Sequence, residues 1–383
     1  MDPAELMRSE FWEDDRPVVF AAPGMEEQSR GLEVLLAGEE WARGAVVFAS
    51  SGSTGAPKWV LHRRASLLAS AAMVNAHLGV SVDDSWLLAL PRWHVGGCGV
   101  AARAHVAGCG YGELEGRWDV AHFVGAVAAS GATCVSLVPT QVHDLVSAGV
   151  RAPDSMRVVV VGGGALDRST GNAARDLGWP VVQSYGMTEA ASQIATAPLE
   201  NLEEGFDPDG LLVLPGWDVE ADESGLLKIR GEALFDGYVV EREGGLSLLR
   251  DFEEGWFTTS DVVQLIGGKL TFCGRKDRTV KILGELVEVD RLERELLSFT
   301  GTDQELRIVE VRDERVGYRL VPVVEGGVLG WEARVEKFNE GLPGFARLMA
   351  PVAVEEFPRT ALGKVDLEAL RRLAAGCGSL GLE

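Results

Sequence analysis

The sequence has little positive charge for its size. Its 383 residues contain 36 lysines and arginines against 58 aspartates and glutamates, which gives a formal net charge of −22. A field of this sign repels polyanions, so we expect neither nucleic acid nor an anionic membrane surface as a partner. An anionic substrate would have to be held by local donors and cations that act against the overall field.

Long hydrophobic runs are also missing. No apolar stretch reaches the ~18 residues that a membrane-spanning helix needs, so membrane insertion is not expected. The N-terminus is acidic and lacks the positive start and apolar segment of a signal peptide. With 46% apolar and 25% charged residues, the composition is typical of a globular protein, and the length favours two domains.

Cysteine and histidine patterns typical of metal sites are absent. The five cysteines are widely spaced without a CxxC pair, and the six histidines show no HExxH spacing. This argues against a disulfide framework and a dedicated zinc site. It indicates reduced, mostly buried thiols, and we predict a cytoplasmic protein.

Short apolar runs alternate with helical patterns in the first half of the chain. The β-rich runs cover residues 45–49, 85–90, 134–138 and 157–161, and the helical patterns cover 66–78, 119–130 and 170–177. Strands that are apolar on both faces and alternate with helices predict a parallel sheet in an α/β protein. Shorter hairpin-like segments after residue 205 predict a small β-subdomain. We therefore predict a large N-terminal domain of layered sheets and helices over 1–274 and an α+β C-terminal lobe over 275–383.

The first of these strands leads directly into a loop of hydroxyls and glycines, SSGSTGAPK, over residues 50–58. Glycines let backbone N–H groups turn toward an anion, hydroxyls add donors, and Lys58 adds a positive charge. The loop is not a Walker A motif, because Pro57 occupies the position of that motif's second glycine. Taken alone, the loop is equally compatible with a phosphate cradle and with an ordinary surface loop.

A second candidate motif, QSYGMTE, covers residues 183–189 just after a predicted strand. Tyr185 offers an aromatic face, Thr188 a hydroxyl and Glu189 a carboxylate, which suit a base, a phosphate and Mg²⁺. The alternative interpretation is a strand followed by a helix that Thr188 caps, with Glu189 in its first turn.

Further motifs follow in order along the chain. They are GLLKIRG at 225–231, LFDGY at 234–238, WFTTSD at 256–261, GRKD at 274–277, VKILGE at 280–285 and PRTALGK at 358–364. With these motifs the chain resembles the adenylate-forming superfamily of acyl-CoA synthetases, luciferases and adenylation domains, from about residue 45 to 372. The resemblance implies an enzyme that uses ATP to adenylate a carboxylate and then transfers the acyl group to CoA. It also implies a mobile C-terminal lobe that rotates between the two half-reactions.

The resemblance assigns roles to individual residues. The implied ATP-binding residues are Ser51, Gly52, Ser53, Thr54, Gly55 and Lys58 for the β- and γ-phosphates, Tyr185 stacked on adenine, Asp261 and Arg275 at the ribose, and Gly163. The implied catalytic residues are Lys364, which would bridge the carboxylate and the α-phosphate, Thr188, Glu189 and His94, with Glu189 also the Mg²⁺ ligand and Asp277 the hinge. Positive charge at these places fits a reaction in which two anions meet and pyrophosphate leaves.

The segment LPRWHVGG at 90–97 resembles the part of the superfamily whose histidine lines the acyl pocket. The neighbourhood is most similar to the 2-succinylbenzoate–CoA ligases of menaquinone biosynthesis, whose substrate has two carboxylates. We expect Arg103 to pair with the carboxylate that is not activated, because an unpaired buried charge is costly. Gln141 and Ser192 complete the predicted substrate site. The alternatives are a helix-surface position for Arg103 and a packed core position for His94.

The sequence departs from the superfamily pattern before the phosphate loop. Only 49 residues precede that loop, so we expect the N-terminal layer to be reduced, and a second copy of the chain could compensate for it. Trp59 and Ser260 stand where smaller residues are usual. Three alternative functions stay open: a CoA ligase for another carboxylate, an enzyme that loads a carrier protein, and an inactive adenylate-binding homologue.

Overall fold

The computed structural model describes residues 6, 8–50, 58–243, 245–302, 304–313, 315–360 and 364–378. The chain divides into two compact units. Unit 1 comprises Met1–Glu220, Lys228–Thr259 and Leu265–Thr271, and unit 2 comprises Ala221–Leu227, Ser260–Gln264 and Phe272–Glu383. The last break in this division falls a few residues before Arg275, where the sequence predicts the start of the C-terminal lobe.

The described residues form ten α-helices. They are α1 (Ser9–Glu13), α2 (Glu26–Leu36), α3 (Arg64–Leu78), α4 (Val95–Ala107), α5 (Val120–Ser130), α6 (Pro139–Ser147), α7 (Arg168–Asp176), α8 (Val289–Thr300), α9 (Trp331–Glu340) and α10 (Leu367–Gly378). None of these helices has both the length and the apolar character that crossing a membrane requires.

The same residues form twenty-two strands. They are β1 (Val18–Phe20), β2 (Ala45–Ser50), β3 (Lys58–Arg63), β4 (Ser85–Leu88), β5 (Gly110–Glu113), β6 (Cys134–Leu137), β7 (Val158–Val161), β8 (Val181–Met187), β9 (Ser192–Thr196), β10 (Leu211–Val213), β11 (Trp217–Ala221), β12 (Leu226–Gly231), β13 (Gly237–Arg242), β14 (Gly245–Leu249), β15 (Phe252–Glu253), β16 (Trp256–Ile266), β17 (Lys269–Arg275), β18 (Thr279–Ile282), β19 (Glu285–Glu288), β20 (Leu306–Asp313), β21 (Gly317–Glu325) and β22 (Val352–Val354).

The sheet at the centre of unit 1 is mainly parallel. Strands β8, β7, β6, β4 and β5 are neighbours in this order and run parallel, while β9 and β10 continue the sheet antiparallel. Strand β7 is four buried valines, and the core against it includes Phe123 of α5 and Trp179. The prediction of an α/β fold with both-face apolar strands is therefore confirmed.

A second sheet of unit 1 has the strand order β1-β2-β3-β13-β14. Helix α2 contributes Leu32 and Leu36 to the apolar cluster on one face of this sheet. Strands β2 and β3 are antiparallel, with Ser50 opposite Lys58. The residues that flank the predicted phosphate loop therefore lie side by side at the end of a β-hairpin.

Two predicted boundaries are wrong. The strand expected over 85–90 ends at Leu88, because the next residues form the turn that leads through Pro91 into α4. The segment Gln183–Met187, expected just after a strand, belongs to β8. Pairing with β9 extends that strand, and a register shift between Tyr185 and Gly186 keeps the two strands together.

Unit 2 contains a three-stranded sheet in the order β20-β21-β22 and the separate hairpin β18–β19. Helices α8 and α9 supply Leu292, Leu296 and Trp331 to one apolar cluster on this sheet. Helix α10 supplies Leu370 and Ala374 to another cluster, which includes Val321 and Val323 of β21. Alternate residues of β21 thus serve two cores, as expected for a sheet that is covered on both faces.

Candidate active site

The predicted metal ligand Glu189 lies in a short 3₁₀ turn, Thr188–Ala190, directly after β8. The Tyr238 hydroxyl donates a hydrogen bond of 2.8 Å to Glu189 Oε1, and the backbone N–H of Phe235 donates to the Glu189 carbonyl at 2.9 Å. On the face of the Tyr238 ring, Lys58 Nζ lies 5.4 Å from the ring centroid. Tyr238 therefore connects two predicted site residues, although no role was expected for the tyrosine of the LFDGY motif.

The backbone of the same turn is held by a histidine that the sequence analysis did not select. His62 on β3 is fully buried, and its Nε2 lies 2.7 Å from the Thr188 carbonyl oxygen. Burial lowers the pKa of His62 to about 4, so the imidazole is neutral near pH 7. A carbonyl oxygen only accepts hydrogen bonds, so Nε2 carries the ring proton and donates a hydrogen bond to the Thr188 carbonyl.

The chain after this turn has an unusual backbone. Ala191 and Ser192 have φ values of 51° and 110°, in the region that favours glycine, and Ser70 Oγ donates to the Ala191 carbonyl at 3.1 Å. A Cβ on Gly186 would lie 1.5 Å from the Ser192 carbonyl oxygen. Only glycine therefore allows β8 to approach the strained Ala191-Ser192 pair this closely.

The candidate substrate residue Arg103 lies on α4 and is only 1% exposed. Its Nη1 donates to Ser136 Oγ at 3.0 Å, and its guanidinium lies 5.2 Å from the Trp86 ring centroid. Its buried Nε has no hydrogen-bond partner among the described residues. Burial lowers the pKa of Arg103 to about 10. The alternative of a helix-surface arginine is wrong, because the helix packs this face into the core of unit 1.

The space beside Arg103 is bordered by small residues. A Cβ added to Gly99 would lie 3.3 Å from Arg103 Nη2 and 3.8 Å from Ser192 Cβ. Gly99 and Ser136 therefore lie against the guanidinium with little bulk, and Ser192 lies next to Gly99. No carboxylate within the described ranges forms an ion pair with Arg103, so its charge is balanced by hydroxyl and aromatic contacts alone.

Two other predicted substrate residues are bonded to the backbone. His94 precedes α4 and caps it, because its Nδ1 accepts a hydrogen bond of 3.1 Å from the Gly96 N–H. Gln141 Oε1 accepts from the Val138 N–H at 3.0 Å, and its Nε2 donates to the Ala89 carbonyl at 3.2 Å. These bonds fix both side chains at the end of the parallel sheet, and their contacts with a substrate stay predictions.

The predicted ribose and hinge residues come together in unit 2. Arg275 Nη1 contacts Asp261 Oδ1 at 2.8 Å, while its Nε and Nη2 reach the two oxygens of Asp277 at 2.9 and 2.8 Å. Asp261 is 5% exposed. One arginine therefore clamps both carboxylates in a bidentate arrangement that restricts their orientation.

The remaining predicted residues lie at ends of elements or outside the described ranges. Gly163 follows β7 with φ of 80°, and the exposed Lys364 accepts a backbone hydrogen bond of 2.7 Å from the Thr360 N–H. The predicted phosphate-loop residues Ser51, Gly52, Ser53, Thr54 and Gly55 lie outside the described residues.

The donor chemistry fits Mg²⁺ better than a metal held by protein ligands alone. Where side chains are described, no group of three or more His, Cys, Asp or Glu residues is arranged around a common point. Mg²⁺ needs only one or two carboxylates when phosphate oxygens and water complete its shell. Glu189, near the strand β3 that begins at Lys58, provides one such carboxylate.

Similarity to known proteins identifies the family of the chain. A family model described as "AMP-binding enzyme" matches residues 40–239. The 2-succinylbenzoate–CoA ligase of Escherichia coli is 33% identical over 72% of this chain and 57% of its own length. The ligase of the same name from Geobacillus kaustophilus is 30% identical over 86% of this chain and 69% of its length.

Among solved structures, a variant of E. coli MenE with bound OSB-AMS is similar, with 28% identity and a TM-score of 0.69. The similarity covers 86% of this chain and 68% of that one. The chain thus spans less than two thirds of the E. coli ligase and slightly more than two thirds of the Geobacillus ligase. Because the family model matches more than half of its residues, the chain belongs to the AMP-binding enzyme family.

Proposed function

We propose that this protein is an ATP-dependent acid–thiol ligase that adenylates 2-succinylbenzoate and transfers the acyl group to CoA. AMP and pyrophosphate are the other products. Membership of the AMP-binding family and the names of the two ligases support the reaction class. The buried, incompletely bonded guanidinium of Arg103 is the observation that supports a substrate with a second carboxylate.

In the first half-reaction a carboxylate oxygen bonds to the α-phosphorus of ATP, and the bond to pyrophosphate breaks. We assign 1–274 to ATP and acyl binding and 275–383 to the lobe that carries Lys364. In this proposal Lys364 bridges the carboxylate and the α-phosphate, and Thr188 contacts the α-phosphate. These donors stabilise negative charge where it accumulates in the transition state.

The phosphate end of the site needs further positive charge. Mg²⁺ would be held by Glu189, and when bound it would neutralise phosphate charge. Lys58 would contact the β- and γ-phosphates. The neutral His62 keeps the Thr188-Glu189 turn in place through its bond to the Thr188 carbonyl, without adding charge of its own.

The nucleoside end of ATP needs a partner for the base and a partner for the ribose. In the proposal Tyr185 stacks on adenine, and Asp261 accepts hydrogen bonds from the ribose hydroxyls. Arg275 orients the Asp261 carboxylate through its 2.8 Å contact. Because the same guanidinium holds Asp277, the proposed hinge residue is bonded directly to the proposed ribose site.

The second carboxylate of the substrate would pair with Arg103. A planar guanidinium with a buried, unpartnered Nε can donate to a carboxylate with bidentate geometry. Gly99 has no side chain beside the guanidinium, and even a Cβ there would lie 3.3 Å from Arg103 Nη2. The Ser136 hydroxyl already accepts from Nη1, and the Ser192 hydroxyl would offer a further hydrogen bond to the substrate. A monocarboxylate would leave the guanidinium without its anion, so the pocket favours a dicarboxylate.

The second half-reaction transfers the acyl group from the adenylate to the CoA thiol, with AMP as the leaving group. We propose that the C-terminal lobe turns about Asp277 between the two steps. The lobe then has one orientation for each half-reaction, and the adenylate formed in the first is the substrate of the second.

An assay of pyrophosphate release tests the proposal. The substrates are 2-succinylbenzoate, benzoate and a medium-chain fatty acid, each with ATP and with or without CoA. We expect release with 2-succinylbenzoate and acyl-CoA formation only when CoA is present. Preference for benzoate or the fatty acid would indicate a ligase for another carboxylate, and no release with any acid would indicate an inactive homologue.

Arg103→Ala tests the substrate assignment within the same assay. We expect KM for 2-succinylbenzoate to rise by at least about thirtyfold, the usual minimum for losing one partner of a buried charge pair, while KM for ATP stays within twofold. Arg64→Met is a matched control, because Arg64 is also a buried arginine of unit 1, 4% exposed, but lies on α3. Equal changes in both KM values for Arg103→Ala would contradict the assignment.

A further inference from the structure

Tyr238 has a different partner at each part of its side chain. Its hydroxyl donates to Glu189 Oε1 at 2.8 Å, and the Lys58 ammonium lies over its ring. The ring also meets Phe235 edge-on, with the centroids 4.9 Å apart, and Phe235 packs in turn against Phe252 and Phe257. The hydroxyl is therefore presented to Glu189 from a ring that aromatic packing holds in place.

The backbone of Tyr238 is fixed as well. The residue lies on β13, between Val60 of β3 and Leu249 of β14 in the sheet register. Strand β3 begins at Lys58, and Phe235 donates its N–H to the Glu189 carbonyl. The sheet thus brings the end of the predicted phosphate loop and the predicted metal ligand to the same tyrosine.

We propose that Tyr238 is a positioning residue for Mg²⁺: it holds the Glu189 carboxylate in the orientation that the metal requires. The inference rests on the proposed function, in which Glu189 holds Mg²⁺. A single donor to Oε1 restricts rotation of the carboxylate about its last side-chain bond. The carboxylate is then oriented before MgATP binds, so less conformational entropy is lost on binding.

The position of Lys58 strengthens this role. An ammonium above an aromatic face withdraws electron density from the ring, and a phenol polarised in this way is a better hydrogen-bond donor. A hydrogen bond to an ionised carboxylate is already stronger than one between neutral groups. The phenol of Tyr238 therefore lies between a cation, the Lys58 ammonium, and an anion, the Glu189 carboxylate.

Calorimetric titration with ATP tests the proposal without measuring turnover. The dissociation constant is measured for wild type and Tyr238→Phe, in excess Mg²⁺ and in EDTA. The Phe variant keeps the ring and its contacts but lacks the hydroxyl. We expect the gain in ATP affinity that Mg²⁺ provides to fall about tenfold in Tyr238→Phe, which is the value of one charged hydrogen bond. The dissociation constant for ATP in EDTA should stay within twofold of wild type.

Two further variants separate positioning from a structural effect. Tyr318→Phe makes the same change on β21 of unit 2, where the ring packs against an apolar cluster, and should leave the Mg²⁺-dependent gain unchanged. Glu189→Gln should abolish most of the gain, and adding Tyr238→Phe to it should cause no further loss. A separate, additive loss in the double variant would mean that Tyr238 does not act through Glu189.

The outcomes distinguish this inference from the proposed function. If Mg²⁺ does not strengthen ATP binding by the wild-type protein, the proposed function is overturned and this inference with it. If the wild type shows the gain and Tyr238→Phe retains all of it, only the positioning role is overturned. A lower free energy of unfolding for Tyr238→Phe together with an unchanged gain would show a structural tyrosine.

Discussion

Replacing Arg103 by methionine should stabilise the free protein while it removes the proposed site for the second carboxylate. Methionine matches the length of the arginine stem and introduces no charge. The wild-type guanidinium is 1% exposed and has one hydroxyl partner, Ser136, and one aromatic partner, Trp86. A buried cation with so few contacts costs folding free energy, and an apolar residue of similar volume avoids that cost.

The size of the effect follows from the pKa of Arg103, which burial lowers from 12.5 to about 10. At about 1.4 kcal/mol for each tenfold change in proton affinity, this corresponds to about 3 kcal/mol against the charged form in the folded protein. Because the pKa is lowered in the folded state, the cost is present at every pH below about 10. The variant also loses the bond to Ser136 and the contact with Trp86, together worth about 1–2 kcal/mol. We therefore expect a net gain of about 1–2 kcal/mol.

Urea unfolding at pH 7 measures this prediction, with and without 2-succinylbenzoate. The ligand should raise the free energy of unfolding of the wild type, because binding to the folded state stabilises it by mass action. Arg103→Met should start from a higher value and gain nothing from the ligand, whereas Arg64→Met should gain as much as wild type. A variant that is less stable than wild type, or that the ligand stabilises equally, would refute the assignment of Arg103 as an unpaired cation.

Two further predictions concern the residues around Glu189. The pKa of His62 is lowered from 6.5 to about 4 in the folded state, so the unfolded chain takes up this proton first as the pH falls. Stability should therefore decline between about pH 6.5 and 4, by about 3 kcal/mol in total, and urea unfolding of His62→Gln across this range should lack that part of the decline. Gly186→Ala should destabilise by more than about 3 kcal/mol or prevent folding, since its Cβ would overlap the Ser192 carbonyl oxygen. Gly125→Ala on α5, which meets nothing within 4 Å, is the matched control and should not lower Tm.

Local sequence signals were sufficient for most of the elements. Asp119 caps α5 by accepting a hydrogen bond from the His122 N–H, and Gly131 ends the helix with φ of 61°, so both limits of this helix follow from residue type. The apolar run of β7 is followed by three glycines and is buried on both faces. Such features depend on neighbours in the sequence, which is why the α/β architecture could be predicted.

Contacts between distant segments could not be predicted in this way. His62 and Thr188 are 126 residues apart, and Tyr238 and Glu189 are 49 apart. Nothing in either sequence segment indicates the other, because sheet pairing brings them together. The burial of Arg103 is a similar case, since small and apolar residues surround it on α4 and give no preferred face. Only the packing of α4 decides that this arginine points into the protein.

Arg103 of unit 1 and Arg275 of unit 2 differ in how their positive charge is balanced. Arg275 is held by two carboxylates of its own chain, Asp261 and Asp277, so its charge is already neutralised and it orients these groups. Arg103 meets hydroxyl and aromatic groups instead, in a place that water does not reach. Interactions between exposed charges weaken beyond about 8 Å at physiological ionic strength, so most of the −22 net charge acts weakly on an anion in the solvent. Anion recognition by this chain therefore depends on which cations lack a carboxylate partner, and the total number of basic residues is a poor guide to it.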